Sequence, residues 1–259
     1  MPYFQSGDAR LYYRWDGNPH GPVLVLSNSL GTDLAMWDPQ VSALGEVFRL
    51  LRYDARGHGS STITPGEYDI ERLSRDVIAL LDELQLPKAH FCGLSLGGMV
   101  GQWLGAHAPE RIDRLVLCCT TARVAAREPW DERIRVVRRE GMVAVADTII
   151  DRWFTPPYQE KEAARVDLIR RMLLRAPVEG YAACCAAVRD LDLRAANARV
   201  GAPTLVVYGA QDVAIPPDHS LAIANRVPGA RLAELPGMHL CNIESADAFN
   251  SAVLEFLAS

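Results

Sequence analysis

Short apolar runs alternate with stretches of helical periodicity along most of this chain. Unbroken apolar runs are typical of strands that are covered on both faces of a sheet. Such strand-like runs lie at residues 23–26, 50–54, 89–92, 115–119 and 203–209. A predicted helix over residues 70–84 has an apolar face formed by Leu73, Val77, Leu80, Leu81 and Leu84. This alternation predicts the α/β fold class, with a mostly parallel sheet and helices on both faces.

Both ends of the chain extend the sheet. Residues 3–4 and 11–14 flank Ser6-Gly7-Asp8, a pattern that favours an antiparallel hairpin at the sheet edge. Residues 231–235 are expected to form the last strand, and residues 246–257 a closing helix.

The alternation lapses in the middle of the chain. Apolar residues follow helical spacing over residues 134–153 and again over 163–173, while Pro156-Pro157 and Pro177 break the run. We therefore predict a helical cap of residues 121–192, inserted into a core of residues 1–120 and 193–259. A cap in this position would cover a site at the sheet edge.

The segment 89–98 has the pattern of a nucleophile elbow. It contains a Gly-x-Ser-x-Gly centred on Ser95, with a predicted strand before it and a predicted helix over 99–108 after it. Gly93 and Gly97 would remove side chains that otherwise collide where the strand and the helix approach. Ser95 is the expected nucleophile, and the Leu96 amide would stabilise a developing negative charge.

A serine hydroxyl needs a base, normally a histidine that is oriented by a carboxylate. Asp212 follows the strand 203–209 and His239 follows the last strand, in the chain order Ser, Asp, His. A surface-turn aspartate is the alternative interpretation of Asp212. The acid can also lie one strand earlier, but residues 118–121 contain no carboxylate. The other histidines are interpreted as packed or solvated: His20 and His219 in loops, His58 in a glycine turn, His90 in a strand and His107 late in a helix.

Two loops carry further candidates. The polar segment 27–33 after an early strand is expected to supply the Leu30 amide as the second oxyanion donor, although an ordinary turn would have the same composition. The glycine-rich loop 55–61 lacks Gly-Lys-Ser/Thr and a following helix, so it indicates a structural turn rather than a phosphate site.

Composition narrows the classes of function. The net charge of −5 argues against a nucleic-acid or anionic-membrane surface. The six cysteines show no C-x-x-C spacing, so we interpret them as buried thiols in a reducing compartment, and we expect neither a metal nor a cofactor. A signal peptide and an apolar run of ~20 residues are both lacking, which favours the cytoplasm.

With these residues in place, the chain resembles the α/β-hydrolase superfamily over nearly its whole length, and more narrowly the 3-oxoadipate enol-lactonases of bacterial aromatic catabolism. The resembling stretches are residues 27–32, 52–59, 93–99, 153–155 and, most specifically, 180–190. Asn28-Ser29 stands where many superfamily members have His-Gly, which fits the lactonases. Leu96 stands where methionine is usual, and this leaves an amide donor intact.

The resemblance implies a substrate, a small anionic enol-lactone that water opens to 3-oxoadipate through an acyl-enzyme on Ser95. It also implies an anchor for the substrate carboxylate. We expect one of Arg123, Arg127 and Arg133, together with Trp130, to bind it, and Ser29 to contact the substrate. A solvated helix face with scattered arginines is the alternative interpretation. The oligomeric state is left open.

Two other functions stay open at this point. One is a small-ester esterase or a cofactor-free perhydrolase of the same fold, which an all-apolar pocket would favour. The other is a catalytically silent binding protein, against which the complete set Ser95, Asp212 and His239 argues.

Overall fold

A computed structural model describes residues 3–258 as one sheet flanked by helices. The strands are β1 (Tyr3–Ser6), β2 (Ala9–Gly17), β3 (Val23–Ser27), β4 (Arg49–Tyr53), β5 (Ala89–Leu94), β6 (Ile112–Cys118), β7 (Thr204–Gly209) and β8 (Arg231–Leu235). The helices are α1 (Asp38–Gly45), α2 (Ile70–Glu83), α3 (Leu96–His107), α4 (Glu128–Glu140), α5 (Val143–Trp153), α6 (Pro156–Lys161), α7 (Ala163–Arg175), α8 (Val178–Arg189), α9 (Arg194–Asn197), α10 (Pro217–Ala224), α11 (Cys241–Glu244) and α12 (Ala246–Ala258).

The eight strands form a sheet in the order β1-β2-β4-β3-β5-β6-β7-β8. The β1–β2 and β2–β4 pairs are antiparallel, and every other pair is parallel. The predicted edge hairpin and the mostly parallel sheet are thus confirmed. Because parallel strands end at the same edge, the loops after β3, β5, β6, β7 and β8 meet there, as expected for an open α/β sheet with a site at this edge.

The remaining differences from the sequence-based elements have local causes. Helix α3 begins at Leu96, directly after Ser95, and so earlier than predicted. The prediction started too late because Gly97 and Gly98 have a low helix propensity. Pro156-Pro157 begins α6 instead of only ending a run, since proline fits the first turn of a helix. Helix α1 and the short helices α9 and α11 were not predicted, and none of them has a long amphipathic pattern.

Of the six helices between β6 and β7, the five from α4 to α8 lie in the segment predicted as the cap. An isolated antiparallel bridge joins Arg123 to Asp192 at the base of this segment. The bridge supports the boundaries 121–192, which stay a prediction; the outermost core residues 1, 2 and 259 lie outside the described part of the chain.

Cap and core meet at a pair of glycines. A Cβ atom on Gly180 of α8 would lie 2.0 Å from the carbonyl oxygen of Gly57, in the loop after β4. Backbone atoms cannot yield as a flexible side chain can, so only glycine permits this approach. The same loop carries His58, which is also buried.

All six cysteines are free and buried, as predicted. Within residues 3–258, no helix combines the length and the hydrophobicity that crossing a bilayer requires.

Replacement of Gly180 by alanine tests the contact between cap and core. We expect Gly180→Ala to lower the Tm by about 3 to 10 °C, because an extra methyl group in a packed contact is destabilising by about 1–3 kcal/mol. The matched control is Gly201→Ala, since a Cβ there would meet no atom within 4 Å. Thermal unfolding followed by circular dichroism measures both, and equal Tm values for the two variants would contradict the packing argument.

Candidate active site

Ser95 occupies a strained turn between β5 and α3. Its φ of 56° and ψ of −110° lie outside the regions that a non-glycine residue ordinarily adopts. Two hydrogen bonds hold it there: the Ser95 amide donates to the Cys118 carbonyl at 2.8 Å, and Thr120 Oγ1 donates to the Ser95 carbonyl at 2.8 Å. The end of β6 therefore fixes the backbone of the candidate nucleophile.

Steric crowding explains why glycine is found at positions 93 and 97, on either side of Ser95. A Cβ atom on Gly93 would lie 2.1 Å from the carbonyl oxygen of Gly97. A Cβ atom on Gly97 would lie 2.1 Å from the carbonyl oxygen of Ser27, so Gly97 faces the end of β3 and not the elbow strand itself. The N-terminus of α3 can reach the sheet only because these side chains are missing.

Asp212 and His239 meet at the ends of β7 and β8. The Nδ1 of His239 donates to Asp212 Oδ2 at 2.8 Å, and both residues are buried. The other carboxylate oxygen accepts from the amides of Ala214 at 2.8 Å and Ile215 at 3.0 Å. Because a carboxylate only accepts, Nδ1 of His239 carries its proton, and Nε2 keeps a lone pair for proton transfer.

The loop that carries His239 is tied to the cap. The indole of Trp153 stacks on the His239 ring, with centroids 6.4 Å apart and planes at 25°. The amide of Leu240 donates to the Trp153 carbonyl at 3.2 Å. Glu244 accepts from the Met238 amide at 2.9 Å and from the hydroxyl of Thr155 in the cap. Cap helices thus help to orient the candidate base.

The two predicted oxyanion donors flank Ser95. Leu96 is the first residue of α3, where a backbone amide has no intrahelical partner. Within residues 3–258, neither the Leu30 amide nor the Leu96 amide has a hydrogen-bond acceptor. The Gly97 amide donates to the Asn28 carbonyl at 3.2 Å and joins the two donor segments. These two N–H groups are therefore available to a ligand oxygen, as the predicted role of oxyanion donors requires.

Ser95, His239, Leu30 and Ser29 line one cavity of about 360 Å³. This size suits a small ligand. The Ser95 hydroxyl has no hydrogen-bond partner among the described residues, and catalytic contacts of this kind often tighten only when a substrate is bound. The other side of the cavity includes the cap side chains Trp130, Arg133, Ile149, Trp153, Tyr181 and Val188.

The three arginines, one of which was predicted to bind a carboxylate, lie in different surroundings. Arg123 and Arg133 line the cavity, whereas Arg127 does not; its guanidinium is exposed and pairs with Asp190 at 2.7 Å. Arg127 is therefore removed from the substrate-binding candidates. Arg133 lies over the Trp130 ring, 4.9 Å from its centroid, and has no carboxylate within 4 Å in the described part of the chain.

Among the lining residues that were missed from the sequence are an arginine and a histidine. Arg152 of α5 reaches the cavity, where it donates to the carbonyls of Val213 at 2.9 Å and Ala214 at 3.4 Å. His219, expected in a loop as a packed or solvated residue, lies in α10 and lines the cavity, 2.7 Å from Thr121 Oγ1 through its Nδ1. Its position shortly after Asp212, in the segment that follows β7, was the available signal.

Cys119 lies beside the Asp212–His239 pair. Its sulfur and the potential ligand atoms of Asp212 and His239 lie within 4.8 Å of one another. The contact with Cys241, 3.5 Å between the two sulfurs, and burial raise the pKa of the Cys119 thiol, so the thiol stays protonated. The ligand atoms of His239 and Asp212 are already engaged with each other through the 2.8 Å hydrogen bond, and we assign no metal site to this cluster.

Comparisons with known proteins agree with this geometry. Residues 22–246 match the sequence description of the alpha/beta hydrolase fold family. The chain is 39% identical to 3-oxoadipate enol-lactonase 2 of Acinetobacter baylyi, over 98% of this chain and 97% of that protein. It is 32% identical to a putative carbamate hydrolase, RutD, of Agrobacterium fabrum, over 91% and 93% of the two chains. The crystal structure of the enol-lactonase from Burkholderia xenovorans LB400 superimposes with a TM-score of 0.98, at 45% identity and full coverage of both chains.

The strain at Ser95 predicts an unusual order of stability between two inactive variants. Ser95→Gly should unfold about 2 to 6 °C above Ser95→Ala, because glycine relieves about 1–3 kcal/mol of backbone strain and loses only about 0.4–1 kcal/mol through its freer unfolded chain. Thermal unfolding of the two purified variants provides the measurement. An alanine variant as stable as the glycine variant would show that the turn is unstrained.

Proposed function

The chain belongs to the alpha/beta hydrolase fold family and is a lactone-hydrolysing member of it, and from this premise we propose that it opens 3-oxoadipate enol-lactone to 3-oxoadipate in the β-ketoadipate pathway. The observation that carries the proposal is the cavity itself. It brings Ser95 and the buried Asp212–His239 pair together with an arginine that has no carboxylate partner. A small lactone with a carboxylate side chain needs both features.

The proposed reaction begins with proton transfer from Ser95 to His239 Nε2. The serine oxygen attacks the lactone carbonyl, and the amides of Leu30 and Leu96 bind the oxyanion. When the ring C–O bond breaks, His239 returns the proton to the enol oxygen, which remains attached to the acyl group. Water then hydrolyses the ester of Ser95 with His239 as general base, and tautomerisation of the enol to the ketone makes ring opening effectively irreversible.

Arg133 is the proposed anchor for the substrate carboxylate. A guanidinium can bind a carboxylate through two parallel hydrogen bonds, and that of Arg133 lies over the Trp130 ring. Arg123 also lines the cavity. Its backbone forms the bridge to Asp192 at the base of the cap. Ser29, beside the proposed oxyanion donor Leu30, is a further proposed substrate contact.

Carbamate hydrolysis is the second candidate, because the relative from Agrobacterium fabrum is named a putative carbamate hydrolase. The same serine, histidine and oxyanion donors would act on a carbamate carbonyl. A carbamate without a carboxylate side chain would not need the proposed arginine anchor, and this difference separates the two candidates.

The substrate assay is the loss of absorbance of freshly generated enol-lactone. We expect fast turnover by the wild-type protein and none above background by Ser95→Ala, because this variant lacks the hydroxyl that is proposed to form the acyl-enzyme. Carbamate and p-nitrophenyl acetate are assayed in parallel. Faster turnover of either compound than of the lactone would keep the hydrolase and reject the proposed substrate.

Substitution of Arg133 tests the anchor. Arg133→Met should raise the KM for the lactone about 10- to 100-fold, since a hydrogen bond to a charged group contributes about 1.5–3 kcal/mol. The kcat/KM for p-nitrophenyl acetate, which carries no carboxylate, should change less than about twofold. Arg127→Met is the matched control, because Arg127 lies outside the cavity. The assignment would be wrong if the Arg127 variant raised the KM as much as the Arg133 variant.

A further inference from the structure

A buried histidine that does not line the cavity of Ser95 contacts the oxyanion loop (residues 27–34, which include Leu30). His58 lies in the loop after β4 and is 1% exposed. Its Nε2 accepts a hydrogen bond from the Gly31 amide at 2.8 Å. Gly31 directly follows Leu30, whose amide is a proposed oxyanion donor.

The neighbours of His58 determine which of its ring nitrogens carries the proton. Its Nδ1 lies 3.3 Å from the Arg56 carbonyl and 3.9 Å from Cys184 Sγ. A carbonyl only accepts, so the proton lies on Nδ1 and Nε2 is free to accept from Gly31. Burial lowers the pKa of His58 to about 4, in agreement with a neutral ring at neutral pH.

Residues at the end of β4 also hold the C-terminal part of the oxyanion loop. The Leu34 amide donates to Asp54 Oδ1 at 2.8 Å, and Arg52 donates to the Leu34 carbonyl at 3.1 Å. At Gly31 the φ of +82° requires glycine, and a Cβ atom there would lie 2.6 Å from Leu173 of the cap. The Gly31 amide is thus committed to His58, whereas the preceding amide has no acceptor within residues 3–258.

We propose that His58 is a positioning residue of the oxyanion hole: its neutral imidazole captures the Gly31 amide and so orients the Leu30 amide towards the reacting carbonyl. The proposal rests on the proposed function of Leu30. His58 touches no reacting atom, so its effect must appear in the transition state, where charge develops on the oxygen, and not in substrate binding.

Two variants separate the hydrogen bond from the packing. His58→Leu removes the acceptor and keeps an apolar side chain of similar bulk, whereas His58→Gln can present an amide oxygen near the position of Nε2. We expect kcat to fall about 10- to 100-fold in His58→Leu with KM within about threefold, and His58→Gln to recover most of that loss. Thermal unfolding verifies that both variants are folded.

A readout that is independent of turnover is inhibitor affinity. A boronic acid, which forms a tetrahedral adduct with the serine, should lose affinity in His58→Leu by about the same factor as kcat. Binding of 3-oxoadipate should be nearly unchanged. The proposal is overturned if His58→Leu retains kcat within threefold, if both ligands weaken equally, or if glutamine is no better than leucine.

Failure of this proposal differs from failure of the proposed substrate. Boronate binding and p-nitrophenyl acetate cleavage use Ser95 and the oxyanion donors whatever the natural lactone is.

If both variants unfold, nitrogen-15 NMR of the wild-type protein decides: we expect a neutral His58 with the proton on Nδ1 and a scalar coupling across the hydrogen bond from the Gly31 amide. A proton on Nε2 would overturn the proposal.

Discussion

The close approach of α3 to the ends of β3 and β5 is the constraint on which the rest of the site depends. Gly93 and Gly97 leave so little space that a Cβ atom on either would lie 2.1 Å from a backbone oxygen. Ser95 is consequently held at a φ that serine avoids, and β6 holds it through Cys118 and Thr120. Strain of this kind persists only where the surrounding structure determines the backbone completely. With the serine fixed, the base and the oxyanion donors have only one edge of the sheet on which to lie.

The cap segment contacts the residues of the candidate site as well as lining its cavity. Its Trp153 stacks on His239 and its Thr155 shares Glu244 with the histidine loop. On the other side of the cavity the cap supplies Arg133, the proposed anchor for the substrate. The same inserted segment therefore contacts the proposed base and carries the proposed anchor for the ligand, which agrees with the rule that function depends on the site and not on the fold alone. The pair Gly57 and Gly180 shows how closely cap and core are packed.

The sequence predicted those parts that local patterns determine. The buried strands follow from apolar runs, and the elbow follows from two glycines between a strand and a helix. Asp212 and His239 were found from their positions after β7 and β8, and the structure places them 2.8 Å apart. Side chains that act over long sequence separations were not predictable. Nothing local distinguishes Arg133, which lines the cavity, from Arg127, which pairs with Asp190. The contact between His58 and Gly31 also joins loops that only the folded sheet brings together.

Acylation of Ser95 during lactone opening is the step on which the proposed function depends. Rapid acid quench during the first turnover, followed by peptide mass spectrometry, measures this step directly. We expect a peptide that carries Ser95 and is heavier by the mass of one lactone, and this adduct should disappear as turnover is completed. Turnover that proceeds with the Ser95 peptide unmodified throughout, or with the adduct on another residue, would show that Ser95 is not the nucleophile.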